Sequence, residues 1–161
     1  MKVLVIYYSQ SGKTKRLAEE IAKDFEGAGN GVELRGIEPV KEKDYTTNVR
    51  EAREAVEAKI KSTVSNVSGY DLICIGTPVW SSSPATPVNG YIASITGIKG
   101  KKVVCFATYG GGSAGSTLEK LRTKLEGKEA IVVDTFGIDS TRPFSEDVRQ
   151  SVKDFVRELT A

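Results

Sequence analysis

The sequence predicts an α/β fold, a doubly wound parallel sheet of five strands with helices on both faces. Three observations predict it. Four segments, Lys2–Tyr8, Asp71–Gly76, Lys102–Thr108 and Ala130–Asp134, are nearly continuous in Val, Ile, Leu and Cys. Apolar residues without alternation mark strands covered on both faces, as inside a parallel sheet between helical layers. Apolar stripes at helical spacing fall between these segments, so strand and helix alternate along the chain. That alternation is the pattern of right-handed β-α-β crossovers.

The first strand, Lys2–Tyr8, leads through Ser9–Thr14 into a helix with the stripe Leu17, Ala18, Ile21, Ala22 and Phe25, ended by Gly27. Gly31–Ile37 alternates instead, Val32 and Leu34 against Glu33 and Arg35, so one face is partly wet. Such a strand belongs at a sheet edge. A loop through Pro39 and Asp44 then reaches Asn48–Ser62, whose thin, charged stripe of Val49, Ala52, Val56 and Ile60 predicts a solvated helix. After Asp71–Gly76 comes the stripe Val88, Tyr91, Ile92 and Ile95, opened by Pro84 and Pro87 and closed by Gly97. Lys102–Thr108 is followed by Leu118, Leu121 and Leu125, ended by Gly127. The last helix carries Val148, Val152, Phe155, Val156 and Leu159, with Ser145 as N-cap and Glu146 and Asp147 facing the positive end of the dipole. Residues 1–161 read as one domain.

Composition narrows the chemistry. The chain has 23 basic and 21 acidic residues, a net charge of +2 and no histidine. Catalytic triads and metal sites that need His are excluded. Two cysteines, Cys74 and Cys105, cannot supply a four-thiolate cluster, and their apolar surroundings predict buried, reduced thiols on neighbouring strands. So small a net charge argues against a nucleic-acid or membrane partner. The opening apolar run is too short for a signal peptide, and no run approaches the roughly 20 residues of a membrane span. A cytoplasmic protein is expected.

In a doubly wound sheet, ligands bind beyond the carboxyl ends of the strands. After the first strand stands Ser9-Gln10-Ser11-Gly12-Lys13-Thr14, which offers hydroxyls and backbone N–H groups at a helix N-terminus, a cradle for phosphate. A Walker A loop would need glycine where Tyr7 stands. The strand ending at Gly76 runs into Thr77-Pro78-Val79-Trp80-Ser81, with the chain's one Trp in a loop of small residues. The next ends in Thr108-Tyr109-Gly110-Gly111-Gly112, where backbone can approach a flat ligand closely. A phosphate cradle and two aromatic-bearing loops describe a mononucleotide with a large planar ring. A phosphoacceptor receiver domain is excluded, because Tyr7-Tyr8-Ser9 and Gly76-Thr77 stand where its carboxylates belong.

At these three loops the chain resembles a short-chain flavodoxin, over essentially its whole length. The resemblance implies a flavodoxin-like sheet of order 2-1-3-4-5 and bound FMN. Ser9, Gln10, Ser11, Gly12, Lys13 and Thr14 are similar to the family's phosphate loop. Thr77, Pro78, Val79, Trp80 and Ser81 resemble the loop covering one side of the flavin ring, and Thr108, Tyr109, Gly110, Gly111 and Gly112 the loop holding the other. Where the family often has Gly after the stacking residue, Ser81 stands here, and it should resist the positive φ that glycine accepts freely. The implied function is electron transfer, with FMN passing single electrons between redox partner proteins, a reductase and an acceptor. The alternative is an FMN-dependent NAD(P)H oxidoreductase acting on quinones or similar acceptors. No long insertion is present to roof a nicotinamide site, which favours the carrier, whereas the near-neutral charge favours the enzyme.

Overall fold

Burial on both sides of one sheet organises the molecule. The computed structural model describes residues 1–161. Its elements run β1 (Lys2–Tyr7), α1 (Lys13–Gly27), β2 (Gly31–Gly36), α2 (Tyr45–Arg53), β3 (Leu72–Trp80), β4 (Ser83–Pro84), α3 (Thr86–Ser94), β5 (Lys102–Tyr109), α4 (Gly115–Glu126), β6 (Ile131–Asp139) and α5 (Glu146–Thr160). The long strands are parallel in the order β2-β1-β3-β5-β6, and the short β4 pairs antiparallel with the end of β3. That is the expected 2-1-3-4-5 order with one two-residue strand added. No helix is long and apolar enough to cross a membrane.

Successive residues of the central strands feed opposite cores. Val3, Val5, Cys74, Val104 and Phe106 pack with Leu17, Ile21, Phe25, Val152 and Phe155 under α1 and α5. Leu4, Ile6, Ile73, Ile75 and Cys105 pack with Val88, Tyr91, Leu118 and Leu121 under α3 and α4. Each fully buried aliphatic or aromatic side chain stabilises the fold by about 1.5–3 kcal/mol relative to exposure. β1, β3 and β5, buried on both faces, form the layer that the two cores share.

Three expectations are corrected. The helix predicted over Asn48–Ser62 is α2, which starts earlier, at Asp44 as N-cap, and stops at Arg53. Ala55 takes a φ of 56°, and the chain then runs as an irregular strap across α3. The strap is held there by Ala58 N–H on the Thr86 carbonyl (3.2 Å), Asn89 Nδ2 on the Val56 carbonyl (3.2 Å) and the Tyr91 hydroxyl on the Val64 carbonyl (2.6 Å). Gly90 permits this approach, since a Cβ there would overlap the Ala58 carbonyl oxygen. Val56 and Ile60 are thus half-buried by tertiary contact with α3, not by a helical stripe.

The second correction concerns strand length. β3 continues past Gly76 to Trp80, so Thr77–Trp80 is strand rather than loop. Past Gly76 it has outrun β1 and is an edge on that side, where Pro78 is tolerated. The third concerns β6, which reaches Asp139 rather than Asp134 and lies at the edge opposite β2. Its register slips opposite Val103 and Val104, skipping Val133. Ile131, at the start of this edge strand, and Val133, at the slip, are exposed although the run is apolar. Ser145 stands at the N-cap of α5 as expected, yet its side chain makes no capping bond.

Cys74 and Cys105 lie on adjacent strands, with Cys74 opposite Val104 and Ile75 opposite Cys105. One step of register puts the two thiols on opposite faces of the sheet, in different cores. Burial pushes Cys105 up to about 12, against a smaller downward pull from Arg122, and raises Cys74 further still. A thiolate is the reactive form. A coloured thiol reagent is therefore expected to label neither cysteine of the native protein within minutes and both in denaturant. Gentle oxidation should produce no intramolecular disulfide, and a native, non-reducible labelled species would contradict this placement.

Candidate functional site

Sheet register brings the strand ends to one level. Tyr7 stands opposite Gly76, and Gly76 opposite Phe106. Two residues on, Pro78 pairs with Thr108, and Tyr109 pairs with Asp139. The segments starting at Tyr8, Gly110 and Ser140, and the end of β3, therefore leave the sheet side by side at its carboxyl edge.

The first segment is built around Gly12, the N-cap of α1, with a φ of 90°. No side chain caps this helix, so the N–H groups of its first turn keep their donors for an external acceptor. Gln10, Ser11, Gly12 and Lys13 are exposed and Ser9 is half-buried. Two groups are already engaged: Gly12 N–H donates to Ser9 Oγ (3.1 Å), and Lys13 Nζ donates to the Ser140 carbonyl (2.8 Å). Thr14 is buried and turned inward, sharing a hydrogen bond of 2.7 Å with the hydroxyl of buried Thr108. Both threonines thus tie the first segment to β5.

The second segment is a hairpin. Thr77 is fully buried, and its hydroxyl donates to the Pro78 carbonyl (2.8 Å) and accepts from Ala85 N–H (2.9 Å), closing the hairpin's base. Pro78, Val79 and Trp80 are half-buried. The Trp80 ring meets Tyr8 edge to face, with centroids 5.5 Å apart and planes at 84°. Ser81 and Ser82 form the turn with φ of 50° and 57°. Two consecutive left-handed residues make a type I′ turn, which ordinarily uses Asn-Gly. Ser81 therefore already occupies the conformation it was expected to resist.

The third segment starts with half-buried Tyr109 and continues through exposed Gly110, Gly111 and Gly112. Gly111 and Gly112 have φ of 88° and 67°, and a Cβ on either would face open space. This glycine run is closed to ordinary side chains by backbone conformation and open to an incoming group.

Two functional candidates were missed in the sequence. Tyr8, at the end of β1, is buried against Trp80, and burial followed by the Glu42 carboxylate pushes its phenol up to about 12. The segment after β6 is the other. Ser140 N–H and Oγ both donate to the Tyr109 carbonyl, at 2.7 and 3.0 Å, and Arg16 lies over the Phe144 ring at 4.5 Å. A cleft of about 380 Å³ opens between Lys13, Arg16, Ser140, Arg142 and Phe144. Hydrogen bonds from Thr141, then Arg142 and Lys13, hold the Asp139 carboxyl below its ordinary range. The apolar run stops at Asp134 while the strand continues to Asp139, which hides this segment in the sequence.

The arrangement fits a phosphorylated planar ligand. The uncapped α1 start suits a phosphate, the open glycine run suits close backbone approach, and Trp80 and Tyr109 stand half-buried on neighbouring strands. Comparison with known proteins agrees. The family model for flavodoxin matches residues 2–131, and the chain belongs to the flavodoxin family. A Lactobacillus acidophilus flavoprotein solved in complex with FMN is 25% identical, with 84% of this chain and 92% of that one covered at a TM-score of 0.69. Megasphaera elsdenii flavodoxin, in its two-electron reduced form, shares the fold at a TM-score of 0.67, with 23% identity and coverage of 96% and 98%. NAD(P)H dehydrogenase (quinone) 3 of Rhizobium meliloti is 26% identical over 134 residues, 83% of this chain but 59% of that protein's length.

The Thr14–Thr108 pair makes a measurable prediction. Replacing either threonine by Val leaves the other buried hydroxyl unpartnered, which costs about 1–3 kcal/mol, whereas replacing both removes the orphan. Urea denaturation should show the double variant less destabilised than the two single losses added together. Simple additivity would remove the pair from the account.

Tyr8 sets an alkaline limit. Its folded pKa of about 12 exceeds the ordinary 10.0, so the stability tied to the neutral phenol is complete below pH 10 and is lost as pH rises through 12. Tyr8→Phe should flatten that part of the alkaline decline in Tm. An unchanged profile would assign the decline to other groups.

Proposed function

We propose that this member of the flavodoxin family binds FMN at the carboxyl edge of its sheet and carries single electrons between a reductase and an acceptor protein. The observation that carries the reading is the convergence of an uncapped helix start, the Trp80 hairpin and the Tyr109 glycine loop at one edge. FMN, when bound, supplies the electron chemistry, and the protein supplies binding, orientation and electrostatics. Ser9, Gln10, Ser11, Gly12 and Lys13 surround the phosphate, with first-turn N–H groups of α1 as donors. Thr14 acts from behind, holding the loop to Thr108. Pro78, Val79, Trp80 and Ser81 form one wall of the ring pocket, and Tyr109, Gly110, Gly111 and Gly112 the other. Thr77 and Thr108 fix those walls from beneath. Because the walls are half-buried aromatics, they exclude water from the ring faces while leaving an edge open to a partner. Buried, reduced Cys74 and Cys105 suit a reducing compartment, and we place the protein in the cytoplasm.

A second reading is an FMN-dependent NAD(P)H oxidoreductase acting on quinones. The similarity to the Rhizobium quinone dehydrogenase favours it, although the chain spans 59% of that protein's length. Fold alone does not separate a carrier from an enzyme.

Absorption spectroscopy and one anaerobic mixing experiment test both readings. The purified protein should take up FMN with a perturbed flavin spectrum and bind riboflavin at least about tenfold more weakly, as expected when hydrogen bonds to a charged phosphate contribute. NADPH or NADH added anaerobically should leave the flavin oxidised until a reductase is supplied. Rapid direct bleaching would replace the carrier with the oxidoreductase, and equal affinity for riboflavin and FMN would remove the phosphate cradle.

A further inference from the structure

The Ser81–Ser82 turn is the most strained piece of backbone beside the site. Left-handed conformation is unfavourable for a residue with a Cβ, and neither serine is the Asn or Gly that such turns use. Strain of this kind persists only where the surroundings over-determine the backbone. The turn is exposed, so apolar packing does not hold it.

Two side chains hold it instead. Ser83, almost fully buried, donates its hydroxyl to the Ser81 carbonyl at 3.2 Å. Lys120 reaches across from α4 and donates its ammonium to the Ser82 carbonyl at 3.0 Å and to Ser83 Oγ at 2.9 Å. One cation thus grips the turn directly and through the serine that grips it again. Lys120 lies 38 residues from Ser82, so the contact is wholly tertiary. It has no carboxylate partner among the ion pairs, although Glu119 stands next to it and pairs with Arg122. Hydrogen bonds from a charged donor are the strong ones.

We propose that Lys120 is a positioning residue for the flavin site, a latch that keeps the Ser81–Ser82 turn left-handed and so fixes the Trp80–Ser81 backbone where the ring binds. The proposal rests on the FMN reading. The consequence is specific: the α4 latch sets the direction of the peptide groups after Trp80, on the wall against which the FMN ring would lie. Loosening the latch lets those peptides reorient without disturbing either core, since Lys120 lies on the exposed side of α4.

The test uses Lys120→Met, which keeps the aliphatic stem and removes the ammonium, and Lys120→Arg, which restores a cation. In the FMN-free protein, amide hydrogen exchange at Ser83, whose pairing with Trp80 the turn closes, should quicken by about tenfold in the Met variant and return toward wild type in the Arg variant, as for loss of one charged hydrogen bond. In the loaded protein, the Met variant should hold FMN more weakly and shift the flavin's midpoint potential, while Tm and circular dichroism stay close to wild type. Unchanged exchange and unchanged potential in an FMN-binding Met variant would overturn the latch and leave the flavin reading standing. Faster exchange in a protein that takes up no FMN would overturn the flavin role together with the reading it rests on.

Discussion

The Phe106 ring lying over the bare Cα of Gly76 is the contact on which the site depends. The two residues are register partners on β3 and β5, and a Cβ at Gly76 would overlap the ring. Phe106 is fully buried and belongs to the core under α1 and α5. Seating it there fixes β3 against β5 in the same row where β1 ends at Tyr7. Everything at the carboxyl edge is counted from that row. Two residues past Phe106, Thr108 reaches Thr14 at the start of α1, and one residue past Gly76, Thr77 closes the hairpin base. A slip of one residue would turn these inward hydroxyls to the opposite face.

The central sheet was legible because burial on both faces leaves a continuous apolar run, and the three strands nearest that description, β1, β3 and β5, were located within a residue at their starts. β2 was legible as an edge because Val32 and Leu34 alternate with Glu33 and Arg35. β6 misled for a physical reason. Its apolar run reads as a strand covered on both faces, yet it lies at the sheet edge with Ile131 and Val133 exposed. The strap after α2 misled differently: Glu, Ala and Lys favour helix locally, but Gly90 and Asn89 on α3 offer the strap backbone a better set of contacts. Of the three segments that composition singles out, those after β1 and β5 leave the sheet as loops, whereas Thr77–Trp80 is strand. What composition could not show was which hydroxyls face out, and Thr14, Thr77 and Thr108 all turn in.

That inward turn changes the roles within the site. Ser, Thr and Gly after a strand suggest ligand contacts, yet four of the six Ser and Thr hydroxyls there are already bonded within the protein. Ser9 accepts from Gly12, Thr14 meets Thr108, and Thr77 spans Pro78 and Ala85. A loop that must present free backbone donors has to be held by something other than those donors. Side-chain hydroxyls do the holding, which leaves the first-turn N–H groups of α1 and the glycine backbone of Gly110–Gly112 free to face outward.

The same division explains where the lysines go. Lys13, Lys101, Lys120 and Lys128 each donate to backbone carbonyls rather than to carboxylates, and Lys128 alone gathers those of Ile92, Ala93 and Ile95 at the end of α3. Bonds of this kind, with one charged partner, fix the direction of a carbonyl more closely than an exposed ion pair fixes a carboxylate. The acceptors are carbonyls at turns and helix ends, where no strand or helix partner exists. Lys13 spans 127 residues of sequence to reach Ser140. No periodicity connects such positions, so a sequence reading sees only solvated charge. A surplus of two basic residues therefore describes the inventory and not the placement: Lys13 and Lys120 are turned onto the segments at the carboxyl edge, where the ligand-facing backbone is displayed, while Lys101 and Lys128 hold the segments that precede β3 and β5 at the opposite edge.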